Sequence, residues 1–255
     1  MSALIPAAAS SAIRQAASGR LALALALLGG VASTALGLKL GWRYGLPILQ
    51  LLAGYPLMAL LLIEQRRGRA IGAMLAWAAA ISVTVIVWVA ADPARTGAAI
   101  LLGPSYWQEM RQWLETGVGC ESSPRCFLPQ HLLHLGLFAL AGLASAGIGA
   151  LAMGAVLMNY MSFYVGQVTA WSREPALAAL LAWHPWALAR VIGFVILGVL
   201  ISEPLLRRLR VLTAAPRDPK PLALLALALL VFDAALKAGL APTWRLLILQ
   251  RAAWP

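Results

Sequence analysis

Apolar residues run along this chain in long blocks, broken by short charged or turn-forming clusters. A helix needs about 20 apolar residues to cross about 30 Å of hydrocarbon. The blocks at 21–38, 46–63, 71–91, 187–206 and 222–240 have that length. The apolar stretch 128–170 is about twice as long as one span requires, so it holds either two spans joined by a tight turn, placed at 131–150 and 152–170, or one long helix with a re-entrant segment. The pattern predicts an all-α fold, a polytopic transmembrane bundle of six or seven spans, with residues 1–255 forming a single membrane domain.

One polar stretch interrupts the blocks. Residues 92–130 carry Asp92, Glu109, Glu115 and Glu121 against Arg95, Arg111 and Arg125. Within it, Ser105-Tyr106-Trp107-Gln108 after Pro104 reads as a capping box, and Tyr106, Met110, Trp113 and Leu114 fall on one helical face. An amphipathic helix lying in the membrane interface is expected there. Cys120 and Cys126, the only cysteines, follow it in a Gly, Ser and Pro turn. In an extracytoplasmic loop they form a disulfide, whereas a metal site needs further ligands close by.

Composition agrees with a membrane class: 62% of residues are hydrophobic and 11% charged, against about 45–50% and about 25% in soluble domains. The net charge of +11 is spread in short clusters between spans instead of along a soluble face. It therefore reads as a topology signal and as contacts to lipid headgroups, not as a nucleic-acid surface. Arg66, Arg67 and Arg69, and then Arg207, Arg208, Arg210, Arg217 and Lys220, fill short loops with few acids. That places the N-terminus in the cytoplasm and the cysteine loop outside. The first 18 residues, with Arg14 and no acid, fit a signal-peptide n-region, but the apolar run that follows continues to Leu38 and favours an uncleaved first span.

Several groups are candidates for chemistry. His131 and His134 lie one turn apart at the outer end of the fourth span, and His184 lies at the outer end of the sixth. Imidazoles at one depth on two helices suit a b-type haem or, with a carboxylate, a divalent metal; beside Trp183 and Trp186 they equally suit headgroup contact. Asp233 and Lys237 have the spacing of an i,i+4 ion pair with the lysine reaching outward, and Glu203 with Arg207 has the same spacing. Gly142, Ala146, Ala150 and Gly154 recur at every fourth residue of the fourth span as a close-packing stripe. Asn159, Tyr160, Tyr164 and Gln167 then interrupt the apolar run, marking a polar helix contact or a pathway. No protease, hydrolase or phosphate-binding motif occurs.

The segments "LGLFALAGLASAGIGALAMGAVLMNYMSFYVG", "ALLAWHPWALARVIGFVILGVLI" and "ALLVFDAALKAGLAPTW" resemble, in order, the stage II sporulation protein M family over about residues 128–244. Asn159 is followed by Tyr160 where that family has Gly, and His184 precedes Pro185 instead of following it. The resemblance implies a non-enzymatic component of a bacterial cytoplasmic membrane, onto which only Asn159, His184 and Asp233 map. The expected function is a membrane subunit, scaffold or small permease without a cofactor, bound to membrane lipids and to other membrane subunits or copies of itself. The alternative is a haem- or metal-binding redox protein using the histidines.

Overall fold

The structure is a computed structural model that describes residues 19–213 and 218–251. The segment carrying Arg14, and Arg217 in the basic loop, lie outside the described residues. Among the described residues ten α-helices follow one another: α1 (Gly19–Leu40), α2 (Gly45–Ile63), α3 (Arg67–Ala91), α4 (Pro93–Ala99), α5 (Gly103–Thr116), α6 (Pro124–Ala144), α7 (Ile148–Ala170), α8 (Pro175–Ala182), α9 (Pro185–Arg208) and α10 (Lys220–Arg251). One 3-10 turn, Cys120–Ser122, precedes α6. Seven of the helices, α1, α2, α3, α6, α7, α9 and α10, are long and apolar enough to cross a membrane. The protein is an all-α, multi-pass membrane bundle of seven candidate spans.

Helices α3 and α7 form its centre. The pair α1 and α2 packs on one side, while α9 and α10 pack together on the other and reach the centre through α3, α6 and α7. In the apolar windows of α3 and α7, 56% of residues are buried, against 17% in α6 and α10. Leu132, Leu140, Leu224 and Val231 are among the large side chains left outside, the surface that a helix facing lipid offers.

The two spans of the long apolar stretch meet earlier than the sequence suggested. Ala146 (φ 55°) and Gly147 (φ 92°) take left-handed backbone conformations. The Gly147 amide donates to the Gly142 carbonyl at 2.8 Å, which closes the helix as left-handed C-terminal residues do. Ser145 Oγ accepts from the Gly149 amide at 2.7 Å and so starts the next helix. The turn is therefore 145–147, and the spans are α6 and α7 instead of 131–150 and 152–170. The four-residue stripe is divided as a result: Gly142 lies on α6, Ala146 in the turn, and Ala150 and Gly154 on α7. A Cβ on Gly142 would come within 2.9 Å of the Ala150 Cβ, so Gly142 and Ala150 serve the hairpin instead of a single face.

The polar stretch also differs from its expected form. α5 begins at Gly103, after Leu102 in a left-handed conformation, with no side-chain cap; Ser105 Oγ donates to the Leu102 carbonyl at 3.0 Å. Its apolar residues Met110, Trp113 and Leu114 are buried against Tyr164, Val168 and Trp186, so this face rests on protein, not on lipid. Arg245 near the end of α10 secures it, donating to the carbonyls of Trp113, Leu114 and Glu115 at 2.8–2.9 Å. The Leu114 and Glu115 carbonyls are among those that the end of a helix leaves without partners, while that of Trp113 also accepts from the Gly117 amide at 2.8 Å. α10 thus runs well beyond residue 240, through Pro242.

Candidate functional site

The cysteine end of the bundle is where chemistry gathers. Cys120 and Cys126 are joined in a disulfide with Cα atoms 5.1 Å apart, and the short loop between them turns Glu121 into the bundle, where it is buried. Glu121 Oε2 accepts from Lys237 Nζ at 2.6 Å, and Oε1 from Trp186 Nε1 at 3.0 Å. Lys237 Nζ also lies 4.8 Å from the centre of the Phe127 ring. Arg190 donates through Nε and Nη2 to both oxygens of Asp233, each at 2.8 Å. His131 Nδ1 sits 3.6 Å from the same carboxylate. Asp233 and Lys237 are therefore not partners of each other, and Lys237 is 4% exposed instead of reaching outward. Each finds a better-placed countercharge on another element, because a buried ion needs direct hydrogen bonds to offset its desolvation.

This environment shifts the groups outside the spans. Burial pushes the Glu121 carboxyl up, but Lys237, followed by His184 and Arg190, overcomes it and holds the carboxyl at about 2. Burial pulls His184 down to about 4, partly opposed by Glu121. Glu109 is raised by burial and by Glu121. Tyr106 is raised well above the usual phenol range, again chiefly by burial.

The histidines have separate surroundings. His184 stacks on Trp186 with ring centres 4.5 Å apart, meets Trp113 edge-on, and lies with Nε2 3.3 Å from the Tyr164 hydroxyl. His131 faces Asp233 and Phe127. His134 lines a cavity. Among the described residues no three or more His, Cys, Asp or Glu side chains gather as a metal site would require.

The site also holds a cavity of about 330 Å³, within the range of small-molecule sites. It follows α7 from Ala150 to Met161, roughly 17 Å of helix at about 1.5 Å per residue. Leu135, Phe138, Leu151, Phe194 and Val195 are among its apolar walls, with Met58, Met74, Met158 and Met161 between them. At the cysteine end the lining turns polar, with His131, His134, Tyr160, Arg190 and Asp233. Gly154 borders it with no atom within 4 Å of where a Cβ would stand, so it opens space instead of packing a neighbour. Leu132 on α6 and Leu227 and Val231 on α10 both line the cavity and are exposed on the outside, and α6 makes no extended contact with α10. The cavity thus opens sideways between these two helices, within their apolar length.

The polar residues of α7 divide between this site and a helix contact. Asn159 and Gln50 exchange hydrogen bonds at 2.8 and 2.9 Å, and Gln50 also donates to Thr34 Oγ1 at 2.9 Å. These amides satisfy each other across α1, α2 and α7. Gln167 is buried without belonging to that trio, Tyr160 lines the cavity 4.6 Å from the Tyr106 ring, and Tyr164 meets His184. The sequence reading missed Arg190, Gln50 and Thr34. Arg190 had a signal: a charge inside an apolar block marks a function or a buried partner. At the opposite end Glu203 pairs with Arg207 at 3.2 Å as expected, but also with Arg67 at 2.6 Å.

Compared with known protein families, curated proteins and solved structures, the chain matches none.

Proposed function

We propose that this membrane protein is a non-enzymatic binding subunit or small permease whose ligand is soluble in lipid and reaches it sideways from the bilayer. The observation that carries this reading is the cavity opening between α6 and α10, apolar along its length and polar at one end. A water-soluble substrate would need a polar lining along its path, whereas an amphiphile would partition into this one from lipid. The weak burial of α6 suits a helix that moves aside during loading. The resemblance to stage II sporulation protein M proteins agrees with a membrane component of this kind. On the same reading the protein lies in a bacterial inner membrane with its N-terminus in the cytoplasm, alongside copies of itself or other membrane subunits.

Gly154→Leu tests the proposal, because its side chain would project into open cavity space without displacing a neighbour. Wild-type protein purified in mild detergent is expected to carry a lipid-soluble compound in a fixed molar ratio. The variant is expected to fold, with the thermal stability of ligand-stripped wild type, and to lose that compound. An equal content in both proteins would show that the cavity is not the binding site.

A further inference from the structure

Building on the cavity as a ligand site, we infer that its ligand is an uncharged prenyl quinone, with the ring at the cysteine end and the tail running along α7.

Charge decides the class of head group. The two cations beside the polar end are matched by carboxylates, Arg190 by Asp233 and Lys237 by Glu121. A phosphate or carboxylate head would meet no surplus positive charge there, and would have to leave water for a site already balanced. A second cation would fare no better. What the site does offer is hydrogen bonding. Arg190 uses Nε and Nη2 on Asp233, which leaves Nη1. His134 and Tyr160, whose imidazole and phenol can each donate a hydrogen bond, line the same end. Carbonyl oxygens accept from such donors without carrying a charge.

Shape narrows the class further. The donors stand on three helices, His134 on α6, Tyr160 on α7 and Arg190 on α9. They surround a compact head with acceptors on more than one edge, as a quinone ring has, and a single terminal hydroxyl could engage only one of these walls. Beyond the ring, Met58 and Met74, with Met158 nearer the head, give a polarizable, adaptable lining that follows an irregular branched chain more readily than rigid side chains would. The opening between α6 and α10 lets such a tail enter without leaving the hydrocarbon.

Decylubiquinone is a suitable probe, because quinones quench indole fluorescence and Trp77 lines the cavity. Titrated into the purified protein in nanodiscs, it is expected to quench saturably, while oleate and dodecanol compete weakly. His134→Leu and Tyr160→Phe each remove one donor, and each is expected to weaken decylubiquinone binding by about tenfold, the scale of one hydrogen bond. Gly154→Leu is expected to exclude decylubiquinone and both competitors. Absence of saturable quenching in the wild type would overturn the quinone, as would oleate or dodecanol binding at least as tightly, or unchanged affinity in both head-group variants. In each of those cases the wider cavity reading still stands if Gly154→Leu excludes whichever amphiphile binds. If Gly154→Leu excludes none of them, that reading fails as well.

Discussion

Lys237 and Asp233 stand one turn apart on α10, yet each is paired across the bundle, 116 residues away with Glu121 and 43 residues away with Arg190. A local spacing rule names the nearest countercharge in sequence and cannot see one brought in by another helix. The residue types were legible as buried chemistry, but their pairing was not. Because each ion stabilises its partner only while both are present, Lys237→Met is expected to destabilise the protein by about 3–5 kcal/mol through the stranded Glu121 carboxylate. Combining it with Glu121→Gln should restore most of that loss in denaturant unfolding in detergent; a double variant as unstable as the single one would mean that packing, not charge, is responsible. Acid should weaken the same cluster in two steps. The His184 pKa is lowered in the fold, from 6.5 to about 4, so the unfolded chain takes up the proton first; stability complete above about 6.5 is lost as the pH falls to about 4. The Glu121 pKa is likewise lowered, from 4.5 to about 2, and its contribution is lost over that lower range. His184→Gln, which leaves Tyr164, Trp113 and Trp186 around it, should make the first step shallower in thermal melts taken across pH, and Glu121→Gln should do the same to the second.

At the scale of elements, hydropathy made the spans legible because lipid demands the same apolar length of each of them. The hairpin between α6 and α7 was legible from the length of its apolar stretch, but the position of its turn was not. Residues 142–150 are all Gly, Ala, Ser, Ile or Leu, and no charge or proline marks the turn, which depends on two left-handed residues and a serine hydroxyl. The same small residues then divide by environment, with Gly142 wedged against Ala150 and Ile201 while Gly154 faces the cavity. Gly142→Leu is therefore expected to cost roughly 1–3 kcal/mol as an overpacked contact, in contrast to Gly154→Leu, which should match ligand-stripped wild type. Equal melting temperatures for the two variants would show that the hairpin opens easily. The loop that delivers Glu121 follows a similar logic. Replacing Cys120 and Cys126 with Ser removes a short closed loop, worth about 2 kcal/mol by chain entropy, and frees the carboxylate from its position beside Lys237. Unfolding measured with and without reductant should show this loss in the wild type and no further effect of reductant in the variant.

Across the whole molecule, two kinds of polar interior can be separated by which solvent reaches them. The trio of Thr34, Gln50 and Asn159 is buried and satisfies itself across three helices, so it seals the contact instead of lining a passage. His134 and Gly154 border a cavity whose edge is formed by exposed Leu132, Leu227 and Val231, so their surroundings communicate with hydrocarbon. Single cysteines distinguish these cases cleanly, since the two native ones are joined in a disulfide. His134→Cys and Gly154→Cys should react with a membrane-permeant maleimide in intact bilayers and resist a charged, water-soluble one. Asn159→Cys should resist both until the protein is unfolded. The polarity of α7 alone could not separate the cases, because an amide facing another amide and an amide facing a wet path look alike in sequence. Rapid reaction of Gly154→Cys with the charged reagent would mean that water fills the cavity, and the ligand would then have to come from the aqueous side instead of from lipid.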